Sequence, residues 1–173
     1  MNKKEKFFGV NNTNWGHKWG FRDSGFIVNE DRSVTFAGNR YPICGKKLSK
    51  FIPFVEEVLG VEFKIKPKVE ELDKKHVEKA FVNHDFISEL RSRFNKDRFT
   101  EEDNERLLHS HGQHSTDEVY KVLYSKLKKF TDLVFYIESE EEAIELIELA
   151  KKHDVCLIPY GGGTNVTNAL RPP

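Results

Sequence analysis

The chain is short of several things, and each shortage excludes something. Its only cysteines, Cys44 and Cys156, cannot build the disulfide framework of a small secreted domain, so the sequence reads as that of a reducing compartment. It has no excess charge of either sign. The 28 Lys and Arg balance 28 Asp and Glu, and no overall field favours nucleic acid or an anionic membrane. No apolar run approaches the ~18 residues that span a bilayer. The apolar part of the start, "MNKKEKFFGV", is too short for a secretory signal, and residues 1–15 read as a flexible start. Hydrophobic residues are few (38%) and charged ones many (32%), which points to much exposed helix surface or to a missing partner surface. There is no internal repeat and no low-complexity tract.

Against these shortages stand 14 phenylalanines, whose large rings argue against disorder throughout. "FIV" and "VTF" around the turn-prone "NEDRS" predict a hairpin. "KLSKFIPFVEEVLG" places Phe51, Phe54, Val55, Val58 and Leu59 at helical spacing from about Ser49, with Pro53 tolerated in the first turn and Gly60 as the stop. Residues 61–82 read as a connecting stretch. "NHDFISELRSRF" predicts a helix capped by Asn83. "TEEDNERLLHSHG" predicts another, capped by Thr100 and ended by Gly112. Ser115 with Glu118 and Ser139 with Glu142 each form a capping-box pattern. The first precedes a stripe of Val119, Leu123, Leu127 and Phe130. The second precedes Ala143, Leu146, Ile147 and Ala150.

"DLVFYI" and "VCLIP" flank this last helix as short apolar runs of strand length, with Cys156 read as a buried small hydrophobe. Strand, helix, strand in that order predicts a βαβ unit with parallel strands. The fold class expected is α/β (α+β): a hairpin and helical region over 16–130, then the start of an α/β domain over 131–173. Into the end of that unit falls "PYGGGTNVTNAL". Its glycines allow positive φ and close approach of an anion to successive N–H groups. Thr164 can add a hydroxyl, and "NVTNAL" could open a short helix. The loop is neither a Walker loop, since no lysine follows the glycines, nor a G-x-G-x-x-G fingerprint, since position 166 is Val. Taken alone, three glycines are also ordinary turn punctuation.

Four stretches carry a family resemblance: "KWGFRDSGF" at 18–26, "GNRYPICG" at 38–45, "HGQHSTDEVY" at 111–120 and "CLIPYGGGTNVTNAL" at 156–170. The last resembles the pyrophosphate-binding loop of the vanillyl-alcohol-oxidase-type FAD-binding fold. Together, over about residues 15–170, they resemble the N-terminal part of the alkyldihydroxyacetonephosphate synthase (alkylglycerone-phosphate synthase) family of ether-lipid enzymes. The resemblance implies FAD as cofactor. It implies exchange of the acyl chain of acyl-dihydroxyacetone phosphate for a fatty alcohol, with no net redox change. It also implies a homodimer and a peroxisomal setting, although no arginine-initiated import signal lies near Met1, and it leaves a peripheral membrane contact open. Cofactor contacts are expected at Pro159, Tyr160, Gly161, Gly162, Gly163, Thr164 and Asn165. Tyr160 and Asn165 stand where the family more often has an aliphatic residue and Ser. No catalytic residue is expected before residue 173, so the chain reads as a fragment, inactive alone and at most a weak binder of FAD.

Other constellations have plainer readings. His109, His111 and His114 are three imidazoles close in sequence, but 109 and 111 lie on different helix faces and no cysteine is near. A polar helix–helix corner is the better reading, and no metal site is expected. "WGHKWGF" interleaves aromatic and basic residues as a single-strand nucleic-acid platform would, yet with zero net charge an aromatic clamp is preferred and no nucleic-acid partner is expected. Two alternatives to the transferase stay open. One is a 2-hydroxy-acid oxidase or dehydrogenase on the same fold; the other is a helical interaction module whose glycine loop binds nothing.

Overall fold

The structure, a computed structural model, describes residues 20–21, 23–64 and 77–173. The chain divides into two compact units, described here over 20–64 and 77–173. Most of "WGHKWGF" lies outside the described residues.

In the first unit the hairpin forms as its alternation predicts. Strand β1 (Gly25–Val28) pairs antiparallel with β2 (Val34–Ala37), with Phe26 opposite Phe36. Arg32 in the turn takes a left-handed φ of 63°, and the Asp31 carboxylate steadies the bend by accepting from the Ser33 amide at 3.1 Å. A short β3 (Lys47–Leu48) adds to β2, and α1 (Phe51–Leu59) follows. Helix α1 ends at Gly60, which supplies the left-handed C-cap (φ 64°). Its N-cap residue is Lys50, whose side chain caps no amide. The Arg40 guanidinium lies 3.9 Å from the Phe21 ring centroid and pairs with Asp23 at 2.9 Å. Two of the sequence stretches singled out above thereby meet. The apolar stripe of α1, however, does not become core. Ile52 alone is buried, and Phe54, Val58 and Leu59 are exposed. Helical spacing decides which residues share a face, not what covers that face.

In the second unit, α2 (His84–Arg93) starts where Asn83 accepts the Phe86 amide at 3.0 Å. Helix α5 (Glu140–Lys152) starts where Ser139 accepts the Glu142 amide at 3.1 Å. Each cap satisfies a donor that the first turn leaves orphaned. The two helices close the main core: Phe86, Ile87, Leu90 and Phe94 pack with Leu146, Leu149 and Ala150. Burial of each large side chain there contributes about 1.5–3 kcal/mol. Glu89 of α2 joins the helices at their surface, accepting from Lys152 at 2.7 Å and meeting His153 at 2.8 Å. After a 3₁₀ turn (Lys96–Arg98), β4 (Phe99–Thr100) pairs antiparallel with β5 (Val134–Phe135).

Between these strands lie α3 (Asp103–Leu108) and α4 (Thr116–Tyr124). Helix α3 begins later than predicted. Thr100 Oγ1 accepts the Glu102 amide at 3.1 Å, ahead of the helix, and Glu102 is the N-cap residue. Helix α4 ends before Leu127 and Phe130, which reach the same small core as Val122 from the following loop.

The mixed α/β class holds, but its pairing differs from the sequence reading. Residues 134–135 pair antiparallel with 99–100, and 155–160 joins no ladder among the described residues. Cys156 is exposed instead of buried, and Leu157 and Ile137 are exposed with it. A continuous apolar run is buried only when both faces and both edges of its strand have neighbours, and among the described residues no strand pairs with 155–160. The short helix expected from "NVTNAL" is two successive turns, Asn168 N–H to Asn165 O (3.1 Å) and Arg171 N–H to Asn168 O (3.3 Å). No helix among the described residues is long and apolar enough to cross a membrane.

Candidate functional site

Residues 155–158 lead out of α5 and its turn into the loop at 159–165. Gly161 and Gly162 are exposed, with open space where a Cβ would stand. Gly163 is buried at φ 66°, and a Cβ there would run into the Tyr160 hydroxyl, so backbone and space both demand glycine. Asn165 is left-handed as well (φ 54°), a conformation its short polar side chain tolerates. Left-handed residues alternating along a loop are the geometry of backbone anion nests. Among the described residues, the N–H groups of Gly161, Gly162, Gly163 and Thr164 donate to no acceptor. Thr164 is exposed beside them. A helix N-terminus does not assist, because turns follow the loop.

Beneath the loop lies the corner between α3 and α4. The Gln113 amide donates to Gly163 O at 2.6 Å. Glu118 of α4, only 2% exposed, does the rest. One of its oxygens accepts both the Gly112 amide (2.8 Å) and the Asn165 side-chain amide (2.7 Å), and the other accepts Arg171 Nε at 3.2 Å. The Asn165 carbonyl oxygen in turn accepts the Leu170 amide at 2.9 Å. At Gly112 a Cβ would stand 2.7 Å from Glu118 Oε2, so the corner has no room for any other residue. Burial by itself would raise the Glu118 carboxyl, but the bonds from Asn165, Gly112 and Arg171 together hold it below its ordinary value. It is a buried, fully partnered anion.

One sequence reading changes here. Ser115 with Glu118 is not a capping box: Ser115 caps no amide with its side chain, and Glu118 points under the glycine loop. The pattern Ser-x-x-Glu suits either role, and only the distant partners Gly112 and Asn165 distinguish them. Asn165 does not present its side chain to a ligand, since both ends of its amide are engaged within the protein. Pro159, Gly161, Gly162 and Thr164 are exposed.

The histidines separate. His109 lies tilted 4.6 Å from Tyr160 and edge-on 5.8 Å from Tyr136, centroid to centroid, with Nδ1 2.8 Å from Glu105 O. Burial holds its imidazole below the usual value, so the ring is neutral near pH 7. The Tyr136 hydroxyl donates to Glu105 Oε2 at 2.7 Å. His111 is buried and His114 exposed. Among the described residues no group of His, Cys, Asp and Glu is arranged to hold a metal ion.

Sequence reading also missed Arg106, buried and bonded to Thr131 O (2.8 Å), Glu78 O (2.8 Å) and Asp103 (2.9 Å). An amphipathic pattern gives no signal for a buried arginine. A cleft of about 1480 Å³ runs alongside, lined by residues 129–138 and 154–161 and by Leu146 and Ile147 of α5. Pro159, Tyr160 and Gly161 bring it to the glycine loop.

No protein-family model matches the chain. It is 36% identical over 155 residues to alkyldihydroxyacetonephosphate synthase of Caenorhabditis elegans, a match covering 90% of this chain and 26% of that protein. It is 33% identical over 163 residues to the Trypanosoma brucei brucei protein of the same name, again over 90% of this chain and 26% of that one. A further likeness is to the Dictyostelium discoideum protein, 32% identical over 97 residues, which are 56% of this chain and 16% of that protein. Two solved structures of alkyldihydroxyacetonephosphate synthase, in different crystal forms, share the fold at 21% identity. Their TM-scores are 0.75 and 0.77, over 99% and 100% of this chain and 32% and 30% of theirs. The chain thus spans about a quarter of the length of the curated relatives it matches over most of its own length, and it belongs to the alkyldihydroxyacetonephosphate synthase family.

Proposed function

We propose that this chain supplies the pyrophosphate-binding part of a FAD-dependent alkyldihydroxyacetonephosphate synthase. The observation that carries the reading is the set of main-chain donors at Gly161, Gly162, Gly163 and Thr164, which have no acceptor among the described residues. Buried polar groups are nearly always paired, and donors this densely placed with no protein acceptor suit a polyanion. The open space at Gly161 and Gly162 lets two phosphates approach the backbone, and Thr164 adds a hydroxyl. These residues fit a dinucleotide's phosphates. Pro159 and Tyr160 set the entry to the loop, while Asn165 acts from beneath. Once bound, the flavin would supply the centre at which the acyl group of acyl-dihydroxyacetone phosphate leaves as the fatty acid and the fatty alcohol takes its place. The residues of this chain bind and orient, and none is assigned to the chemical step.

The same reading gives the cleft a role. Segments 133–137 and 155–160 would be the first strands of a vanillyl-alcohol-oxidase-type FAD domain, forming their βαβ unit when further strands lie along them. Exposed Ile137, Cys156 and Leu157 support this. Peroxisomal residence, a homodimer and a peripheral membrane contact belong to the same proposal and rest on kinship alone.

The test is a chimaera in which this chain replaces the matching quarter of a curated relative. Turnover of acyl-dihydroxyacetone phosphate with a fatty alcohol is the expected result. A folded, flavin-loaded chimaera that instead oxidises D-lactate with an electron acceptor would overturn the transferase reading in favour of a 2-hydroxy-acid enzyme. A folded chimaera unable to take up flavin would remove the cofactor reading as well.

A further inference from the structure

We infer that Glu118 is the positioning residue of the glycine loop, with Arg171 as the counter-charge that makes a buried carboxylate compatible with an anionic ligand above it. The inference rests on the phosphate-binding reading just given. Three facts carry it. A single oxygen of Glu118 gathers the Gly112 amide and the Asn165 side chain, so the α3–α4 corner and the loop are fixed to one point. Asn165 is one of the two left-handed residues that shape the loop, and its side chain has no other anchor besides the Leu170 amide. Glu118 stays 2% exposed, although a buried carboxylate is costly unless its oxygens are all engaged.

An unscreened negative charge so close to the loop would repel phosphate. Arg171 donates to Glu118 through Nε, and Asp117, which it also reaches through Nη2 at 3.2 Å, is paired with Lys121 at 2.6 Å. The carboxylate therefore acts on the ligand only through the shape it imposes. Charge-assisted bonds of this kind are about twice as strong as neutral ones, which suits them to hold a loop that has little hydrophobic packing of its own.

The two changes separate shape from charge. Glu118→Ala removes the anchor and should free the loop. Glu118→Gln can still offer one oxygen to Gly112 and Asn165, but it sets an NH2 group against Arg171. Arg171→Gln keeps the anchor and uncovers its charge. The experiment measures binding of inorganic pyrophosphate and of FAD to the 173-residue chain, together with hydrogen exchange of the Gly161–Thr164 amides. Val122→Ala, a core change on the same helix, is the control for general destabilisation. The expected result is a loss of about tenfold or more in affinity for Glu118→Ala, a smaller loss for Glu118→Gln, and little for Val122→Ala. Arg171→Gln should weaken binding most at low salt, with a shallower salt dependence and unchanged loop exchange. Glu118→Ala binding as tightly as the parent, or no more weakly than Val122→Ala, would overturn the inference. If the parent chain binds neither probe, the phosphate reading fails by itself. Loop exchange then decides the role of Glu118: faster exchange at Gly161–Thr164 in Glu118→Ala, but not in Val122→Ala, upholds it, and equal exchange refutes it.

Discussion

Arg106 is buried and charged, yet only one of its three partners is a carboxylate. The guanidinium fork ties α3 to the backbone at Thr131 and Glu78, a fixed geometry that a lysine could not reproduce. Arg106→Met should therefore cost about 3 kcal/mol, since two carbonyls lose a charged donor, and a shift in the urea midpoint of that size would show it. An unchanged midpoint would mean that the fork is decorative. Glu89 makes a different expectation. Lys152 first, then His153 and Arg93, lower its carboxyl from about 4.5 to about 2. A depressed folded value stabilises the protein above the unfolded value and stops doing so as pH falls through the folded one. Glu89→Gln should thus be less stable than the parent at pH 7, with the gap closing between pH 4.5 and 2. Urea midpoints at pH 7, 4 and 2.5 check this, and a gap independent of pH would contradict it.

At the scale of elements, the two Ser-x-x-Glu patterns had opposite fates. Ser139 accepts the Glu142 amide at the start of α5, whereas Ser115 accepts nothing with its side chain at the start of α4. Ser139→Ala should cost about 1 kcal/mol and Ser115→Ala close to nothing. Equal thermal shifts for the pair would show the caps to be misassigned. Local patterns were legible wherever a local interaction decides the outcome. The hairpin, the Asn83 and Ser139 caps and the Gly60 stop all depend on groups within a few residues of one another. What could not be read depends on distant partners. Whether Glu118 caps α4 or anchors residue 165 is decided 47 positions away. Whether "VCLIP" pairs as a strand is decided by what lies along it. The apolar stripe of α1 was placed on the right helix, but its exposure was not foreseeable from spacing.

For the whole molecule, the low hydrophobic content points to exposed helix surface or a missing partner surface, and the structure shows the first. Helix α1 shows Phe54, Val58 and Leu59 to solvent, and exposed Ile137 and Leu157 line the cleft. The candidate site was legible as a loop and illegible as an assembly. Its glycines announce themselves in sequence, while the bracket of Gly112, Glu118 and Arg171 that holds them appears only in three dimensions. The proposal as a whole depends on where the free amides of that loop send their hydrogen bonds. Amide chemical shifts of the isotopically labelled chain, followed while pyrophosphate is added, test this most directly. The expected result is saturable shifts at Gly161, Gly162, Gly163 and Thr164, with smaller ones at Gly112 and Asn165. Saturation without movement of those four signals, or shifts spread over the lysine-bearing surface, would contradict it.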